Sequence, residues 1–291
     1  MLVLERESIA GGMGNEGIFI WRVKGGGGNI VFLEKRIKFG REVALYRKMY
    51  EERFSLKAPV QIHGLSNEDD EKSQSDGTFS VFMDYYPDLG NFKLNHIENE
   101  EAVAIIAKNI CKELLKLAEF VSLKSDLKIF DESKRFAEYL GSYSGESSEL
   151  LQKLKRVVRI FSESECAEMK VVSHNDLHFG NIWVGPAFEV KLIDFGLYGL
   201  NNCGAELHHF YTLSTGSSKQ DKQFYGLLAK NYSSIFKVPE NFVNLAACYY
   251  AIIRIAMRLK LKENMFQCDN KRINILVKNF FELNGEDSCD A

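Results

Sequence analysis

Apolar residues recur with two different periods along this chain. From residue 1 to residue 86 they alternate with polar residues in short runs, which is the pattern of β-strands with one buried face. One helix is predicted among them, over residues 40–54, because Leu45, Tyr46 and Met49 fall at helical spacing. The predicted strands cover residues 2–4, 18–23, 29–37, 59–62 and 78–86.

Beyond residue 87 the period changes to that of an α-helix. Over residues 98–123 apolar positions fall at helical spacing behind a group of acidic residues, as the helix dipole favours. A β-rich first third followed by a helical remainder predicts an α+β fold of two lobes, a small β-rich N-terminal lobe (1–86) and a larger helical C-terminal lobe (87–291). The other predicted helices cover residues 132–140, 147–161, 219–234, 240–262 and 270–283.

Composition and charge exclude several classes of protein. The 291 residues are 45% hydrophobic and 26% charged, as in ordinary globular proteins, and the net charge of −3 gives no general attraction for nucleic acid. The longest apolar run, residues 245–253, is about half a membrane span and is followed by Arg254. The six cysteines form no C-x-x-C pair. Charged residues follow directly after the first four residues of the chain, which argues against a secretory signal. We therefore expect a cytoplasmic protein with reduced thiols, no membrane span and no nucleic-acid partner.

The residues that can carry chemistry concentrate between residues 171 and 196. An apolar pair leads towards His174 and Asp176, Asn181 precedes a short strand, and a second strand leads to Asp194. Two carboxylates and an amide are thus predicted at strand ends in one hairpin. Such a set suits the attack of a hydroxyl on a metal-bound phosphate, with one carboxylate beside the hydroxyl and two oxygen ligands for Mg²⁺. The alternative is a polar β-hairpin whose turns happen to contain these residues.

These residues form a recognisable motif. H-x-D-x-x-x-x-N is read at His174, Asp176 and Asn181, and D-F-G begins thirteen positions later at Asp194. The combination resembles the protein-kinase-like superfamily and, within it, the aminoglycoside phosphotransferase and choline kinase group. The resemblance implies that Asp176 orients the acceptor hydroxyl and takes its proton, and that Asn181 and Asp194 hold Mg²⁺ at the phosphates of ATP. His174 is assigned to the same catalytic loop, where bracing of the D-F-G backbone is favoured over a role as a base.

Two features favour the small-molecule branch over protein kinases. His178 stands two residues after Asp176, where protein kinases usually have a lysine, and Gly180 precedes the asparagine. No A-P-E triplet follows D-F-G, which leaves little platform for a peptide substrate. The sequence therefore predicts an ATP-dependent kinase that acts on a hydroxyl of a small acceptor, namely an amino alcohol such as choline, a sugar or an aminoglycoside. A protein kinase and a catalytically silent nucleotide-binding module are the alternatives.

The resemblance also implies a nucleotide site in the N-terminal lobe. Gly12, Gly14 and Gly17 fit G-x-G-x-x-G between two predicted strands, and such glycines let backbone N–H groups approach phosphates. A flexible β-turn is the alternative for this stretch. Met83 would lie at the back of the adenine pocket, and the backbone around Tyr85 would contact the edge of the base.

Lys35 is the candidate for the lysine that reaches the α- and β-phosphates. It follows Leu33 on the same face of its predicted strand, and Arg36 on the opposite face is its competitor. The family pairs this lysine with a carboxylate of the next helix. Glu42 at the head of that helix fits the position, and Glu52 further along is the alternative.

The acceptor site would lie in the helical lobe, with residues 200–212 and 249–257 as candidate walls. Aromatic residues there would favour a quaternary amine if they formed a cage, although aromatics at helical spacing are more often core residues. Glu206 stands near the position where the family usually has an aspartate that supports the catalytic loop. His208 and His209 lack co-ligands at a familiar spacing, so helix or core histidines are preferred to a metal site. The aromatic residues of these walls are Phe210, Tyr211, Tyr249 and Tyr250.

Overall fold

The computed structural model of the chain describes residues 4–9, 15–23, 30–38, 41–52, 61–66, 78–84, 90–91, 94–97, 99–121, 132–142, 149–260 and 270–286. The strands are β1 (Leu4–Ile9), β2 (Asn15–Val23), β3 (Ile30–Lys38), β4 (Ile62–Leu65), β5 (Thr78–Met83), β6 (Gly90–Asn91), β7 (Lys170–Ser173), β8 (Ile182–Val184), β9 (Val190–Leu192) and β10 (Gly199–Asn202). The helices are α1 (Arg41–Glu51), α2 (Glu100–Val121), α3 (Glu132–Ser142), α4 (Glu149–Glu163), α5 (Glu165–Glu168), α6 (His208–Ser214), α7 (Lys219–Phe236), α8 (Glu240–Lys260) and α9 (Asn270–Leu283).

The N-terminal lobe is an antiparallel sheet covered on one face by a helix. Its strand order is β1-β2-β3-β5-β4, and α1 packs against β3 and β4. Leu33 and Ile37 of β3 are buried on the same face as Val81 of β5, together with Met49 of α1. Because side chains alternate along a strand, Lys35 also lies on this covered face. The sheet thus places one lysine among apolar residues, next to α1.

The long amphipathic helices are confirmed, and several short elements are not in the sequence prediction. Each predicted helix is found with ends within three residues of those expected. β4 begins three residues later than predicted, and β1 extends further than the predicted edge strand. The short elements α5, α6, β6 and β10 carry too few apolar positions to show a period. The predicted lobe boundary at residues 86 and 87 lies outside the described residues and stays a prediction.

The segment that carries the H-x-D and D-F-G motifs is enclosed by a pair of strands. β7 and β10 pair antiparallel, with Ser173 opposite Gly199. Within this enclosure β8 and β9 form the predicted hairpin, with Ile182 opposite Leu192, and β6 pairs with the other edge of β8. The two ends of residues 174–198 are therefore held side by side, which brings the two motifs to the same part of the helical lobe.

The helical lobe shows no sign of a disulfide or a membrane helix in the part of the chain that is described. None of its described helices has both the length and the apolar character needed to cross a membrane. Cys111, Cys166, Cys203 and Cys248 are buried free thiols. Burial raises the pKa of the Cys166 thiol to about 12 and that of Cys203 to about 11, so these thiols are poor nucleophiles.

Gly204 sits where the backbone tolerates only glycine, and this gives a prediction for stability. Its φ is +89°, and a Cβ there would lie 2.8 Å from both the Cα and the carbonyl oxygen of Val243 in α8. Gly204→Ala should therefore lower the free energy of unfolding by about 3 kcal/mol, through backbone strain and overpacking. Urea denaturation measures this loss.

Gly226 is the matched control for that substitution. It lies in the middle of α7, and a Cβ there would meet nothing within 4 Å. Gly226→Ala should raise the free energy of unfolding by about 0.5–1 kcal/mol, because alanine has the higher helix propensity. Equal effects of the two substitutions would contradict the assignment of strain to Gly204.

Candidate active site

Lys35 lies at the centre of an ion-pair cluster that joins the two lobes. It is 5% exposed, and its Nζ donates to Glu42 Oε1 at 2.5 Å and to Asp194 Oδ1 at 2.9 Å. The Tyr46 hydroxyl donates to the same oxygen of Glu42 at 3.0 Å, and burial followed by the Glu42 charge raises the pKa of that hydroxyl. Two carboxylates compensate the buried ammonium, so β3, α1 and the D-F-G segment are tied together electrostatically.

The competitors of Lys35 and Glu42 lie elsewhere. Arg36 is on the opposite face of β3, where its Nε donates to Glu34 Oε1 at 3.2 Å. Glu52 follows α1, and its carboxylate lies 3.9 Å from the Nζ of Lys48. The carboxylate that contacts Lys35 from α1 is therefore that of Glu42, while the role of the pair in nucleotide binding stays a prediction.

His174 is buried and hydrogen-bonded at both ring nitrogens. Its Nδ1 accepts from the backbone N–H of Asp176 at 3.4 Å, which assigns the proton to Nε2, and Nε2 donates to the carbonyl of Ile193 at 2.8 Å. Burial holds the pKa of this imidazole below its ordinary value, so the neutral ring is favoured. Its contact with the residue before Asp194 is the one expected of a bracing side chain.

Asp176 and Asn181 are hydrogen-bonded to each other next to the D-F-G segment. Asn181 Nδ2 donates to the Asp176 carbonyl at 2.9 Å and to its Oδ2 at 3.4 Å. The Asn181 carbonyl accepts from the backbone N–H of Ile193 at 3.1 Å, which puts Asn181 beside the residue that precedes Asp194. Asp194 has φ of 63°, in the left-handed region. The structure thus brings Asp176, Asn181 and Asp194 to one end of the β8–β9 hairpin.

The donor atoms at this end of the hairpin fit a magnesium ion. Nδ2 of Asn181 is used in hydrogen bonds to Asp176, which leaves the amide oxygen as its ligand atom. Asp194 contributes a carboxylate, one oxygen of which accepts from Lys35. Among the described residues no group of three or more histidine, cysteine, aspartate or glutamate side chains is arranged to hold a metal. Two protein oxygens are the usual complement for Mg²⁺ that also binds water and nucleotide phosphates.

The position of the His178 ring near Asp176 depends on Gly180, two residues later. Its Nδ1 accepts from the backbone N–H of Gly180 at 3.0 Å, which leaves the proton on Nε2, 3.9 Å from Asp176 Oδ2. A Cβ at residue 180 would lie 2.9 Å from Cε1 of His178, so only glycine allows this ring position. The ring of His209 lies opposite, 5.9 Å from that of His178 between centroids. His178 therefore presents an N–H towards the Asp176 carboxylate.

Glu206 is buried beneath the catalytic loop. Its Oε2 accepts from the backbone N–H of His174 at 2.8 Å and its Oε1 from the Tyr232 hydroxyl at 3.0 Å. Burial raises the pKa of this carboxyl from its ordinary 4.5 to about 7, against the opposing effect of the two hydrogen bonds. Burial and, after it, the Glu206 charge raise the pKa values of the Cys111 and Cys203 thiols. A glutamate thus contacts the loop from the position where the resemblance leads one to expect an aspartate.

The buried position of Glu206 predicts a pH dependence of stability. Between pH 4.5 and about 7 the folded state holds the proton on Glu206 and the unfolded chain does not, so this residue's contribution to stability is full below pH 4.5 and declines as the pH rises. Glu206→Gln removes that titration. We expect the stability of the variant relative to the wild type to rise by about 3 kcal/mol from about pH 4 to about pH 8. Chemical denaturation across this range measures it, and a constant difference would contradict the prediction.

Asn175, between the two motif residues His174 and Asp176, is a positioning residue that the sequence prediction does not contain. It has φ of 63° and is buried. Its Nδ2 donates to the Leu197 carbonyl at 3.1 Å, and its Oδ1 accepts from Asn201 of β10 at 2.7 Å. Asparagine is among the residues that best tolerate a left-handed backbone conformation. The residue type at position 175 is therefore the one signal in the sequence that could have indicated this role.

Two further residues that the sequence prediction does not contain, Arg254 and Glu132, flank the same loop. Arg254 of α8 donates from Nη2 to the Asn175 carbonyl at 2.9 Å, and its Nε lies 2.9 Å from Glu132 Oε2 of α3. Burial raises the pKa of the Glu132 carboxyl, Arg254 lowers it, and the nearby Asp176 charge raises it. Arg254 directly follows the apolar run of α8. In the sequence, this interruption is the signal that could have indicated a charged contact near Asp176.

The aromatic residues of the candidate acceptor walls belong to the core. Phe210, Tyr211, Tyr249 and Tyr250 are all buried, so they do not form the exposed cage that a quaternary amine would require. Tyr249 exchanges a hydrogen bond with Ser133 at 2.6 Å. The preferred interpretation, core residues at helical spacing, is correct. His208, at the start of α6, is partly buried, and its Nδ1 contacts the carbonyl of Ala205 at 3.0 Å.

The remaining predicted nucleotide contacts are only partly described. Gly17 lies in β2 with φ of +147°, next to a register shift, in a conformation that favours glycine. Met83 ends β5 and is buried opposite Leu33 of β3. The three other predicted contacts, Gly12, Gly14 and Tyr85, lie outside the described residues, so their roles stay predictions.

Comparison with known proteins gives matches at the level of structure. No protein-family model and no curated protein matches this chain. A putative aminoglycoside phosphotransferase from Ralstonia eutropha gives a TM-score of 0.64 at 14% identity, over 97% of this chain and 93% of the other. A thermostable mutant of aminoglycoside phosphotransferase APH(4)-Ia, in ternary complex with ADP and hygromycin B, gives 0.63 at 9% identity, over 94% and 93%. Choline kinase LicA from Streptococcus pneumoniae gives 0.54 at 14% identity, over 97% and 94%.

These matches extend over nearly the whole length of each compared protein, so they include both lobes. Identities of 9–14% establish shared architecture. The chain therefore has the two-lobed α+β fold of the aminoglycoside phosphotransferases and choline kinase, the fold that its H-x-D and D-F-G motifs predict.

Proposed function

We propose that this protein is a small-molecule kinase, which transfers the γ-phosphate of ATP to a hydroxyl group in the presence of Mg²⁺. The observation that carries the proposal is the position of the Lys35 ammonium, in contact with Glu42 of α1 and with Asp194 of the D-F-G segment. This contact links the sheet to the hairpin that bears Asp176 and Asn181. Proteins of the same fold form ternary complexes with ADP or AMP-PNP and hygromycin B, which supports a site for a nucleotide and a small acceptor in this fold.

Asp176 is the residue that would act on the acceptor. Its side chain is 39% exposed, so an acceptor hydroxyl can reach it, and the hydrogen bond from Asn181 Nδ2 orients its carboxylate. The carboxylate would accept the hydroxyl proton as the oxygen attacks the γ-phosphate. His174, held neutral by burial, would keep the loop against the D-F-G backbone through the Ile193 carbonyl.

Lys35 is the residue that would bind the nucleotide phosphates. Its ammonium is already fixed by Glu42, so little side-chain entropy is lost when phosphate oxygens bind. Asn181 through its amide oxygen and Asp194 through its carboxylate would hold magnesium. The metal, when bound, supplies positive charge that neutralises the β- and γ-phosphates. The protein's own contribution is thus positioning and electrostatic stabilisation, which is what phosphoryl transfer requires.

The described surroundings of Asp176 favour acceptors with little charge. His178 presents an N–H towards the Asp176 carboxylate, and Glu132 is paired with Arg254. A carboxylate that is already paired attracts a polycation weakly. This favours amino alcohols or sugars over polycationic aminoglycosides, although hygromycin B and spectinomycin are bound by proteins of the same fold.

The proposal is tested by measuring ADP release from MgATP in the presence of amino alcohols, sugars and aminoglycosides, with mass spectrometry of each acceptor. We expect ADP release and acceptor phosphorylation in equal amounts with members of one class. Binding of MgADP without turnover on any acceptor would indicate a nucleotide-binding module instead. Incorporation of phosphate into protein, with none into small molecules, would indicate a protein kinase.

A further inference from the structure

Lys48 is a buried lysine that the proposed reaction does not use. It lies in the last turn of α1 and is 6% exposed. Its Nζ donates to the backbone carbonyl of Phe120 and lies 4.6 Å from the centroid of the Phe120 ring. A methionine of similar length would pack there without the cost of burying an ammonium. We therefore expect the buried ammonium of Lys48 to fix the position of the residues that it contacts.

Besides the Glu52 carboxylate at 3.9 Å, the ammonium of Lys48 has a hydrogen-bond partner in the other lobe. α2 ends at Val121, so the carbonyl of Phe120 is among the last four of that helix, which have no donor within the helix. This end of a helix also carries partial negative charge, which an ammonium stabilises. The cation–π contact with the Phe120 ring adds to the same attachment. Lys48 thus caps α2 from outside and ties the end of α1 to the helical lobe.

The opposite end of α1 carries the carboxylate of the Lys35 cluster. Glu42 is in the first turn of α1 and Lys48 in its last, about 9 Å apart along the helix axis. Tyr46, between them, hydrogen-bonds to Glu42 and its ring lies edge-on to Phe195 of D-F-G. α1 is therefore attached to the helical lobe near its head through the D-F-G segment and at its tail through α2. Two attachments along one rigid helix fix its direction, whereas a single one would let it swing.

We propose that Lys48 is a positioning residue for the nucleotide site: by holding the tail of α1 to the C-terminal end of α2, it keeps Glu42 in place and Lys35 directed at the nucleotide phosphates. This inference rests on the proposed function. Without the Lys48 contact, the contacts of α1 with the helical lobe that remain among those described above are the ones made near its head with the D-F-G segment. Only a fraction of the molecules then keep the Glu42–Lys35 pair formed. The affinity for nucleotide falls in proportion to that fraction.

The test is the affinity for MgADP, measured by calorimetry on the full chain. Lys48→Met, which keeps the length and removes the charge, should weaken MgADP binding about tenfold, the effect expected when a charge-assisted hydrogen bond is lost. Lys48→Arg, which keeps a cationic donor, should retain most of the affinity. Lys278→Met, on the exposed surface of α9, is the control and should bind as the wild type does.

A double-mutant cycle with Glu42→Gln separates positioning from stability. If Lys48 acts through Glu42, then Lys48→Met should cost little further MgADP affinity once Glu42 has been changed. Additive losses, or a Lys48→Met variant that binds MgADP as the wild type does while unfolding at a lower temperature, would overturn the inference. If Lys48→Met does not fold, Lys48→Gln replaces it, with the same expectations. A wild-type protein that fails to bind MgADP would instead overturn the proposed function, and the inference with it.

Discussion

Asp176→Asn is expected to lower the rate of phosphoryl transfer by about 10³-fold, within the range found for general-base catalysis. The asparagine keeps the shape of the side chain and can still accept a hydrogen bond from Asn181 Nδ2, so the loop should keep its conformation. What it loses is the carboxylate that would take the proton of the acceptor hydroxyl. The effect should therefore appear in kcat on the best acceptor, with the affinity for MgADP nearly unchanged.

The control for this substitution is Asp221→Asn, in the first turn of α7 and outside the candidate site. It makes the same chemical change and should leave kcat unaltered. A variant at Asp176 that turns over as fast as the wild type would show that another group accepts the proton. Equal losses of kcat and of MgADP affinity would show instead that the substitution disturbs the loop as a whole.

The parts of the fold that follow from local pattern could be predicted from the sequence. α2 buries one face of a 22-residue helix, so its apolar positions repeat six times with the helical period. α8 also begins at Glu240 as predicted, although residues 245–253 are buried on all sides of the helix. The motif residues His174, Asp176, Asn181 and Asp194 were recognisable because phosphoryl transfer restricts both residue type and spacing.

The supports of the site depend on contacts between distant parts of the chain. Asn201 and Asn202 of β10 are polar in sequence and buried in the fold, because Asn175, Tyr250 and two backbone carbonyls satisfy them. Nothing in their neighbours along the chain indicates those partners. Lys48 is similar, since a charged residue in a helix is expected to be exposed unless a partner elsewhere in the fold buries it. The candidate reacting groups are thus easier to predict from the sequence than the groups that hold them.

Asp194→Asn is the second substitution from which we expect a large effect, here on the magnesium dependence of nucleotide binding. Asp194 has φ of 63°, and asparagine tolerates this left-handed conformation as well as aspartate does. The substitution therefore removes charge and leaves the backbone unchanged. Turnover should fall by about 10²–10³-fold, the scale for loss of an electrostatic contact in a transition state. In the wild type Mg²⁺ should strengthen ADP binding, and in the variant most of that gain should disappear.

Binding of ADP with and without Mg²⁺ separates the two roles that Asp194 has in the proposal. Lys35 keeps its contact with Glu42 when Asp194 is changed, so affinity for ADP in the absence of metal should change little. A loss confined to the magnesium-containing measurement assigns Asp194 to the metal. A similar loss in both measurements would mean that Asp194 acts chiefly by holding the Lys35 ammonium, 2.9 Å from its Oδ1, and that the metal is bound by other groups. The comparison therefore discriminates between a metal ligand and a partner of the lysine.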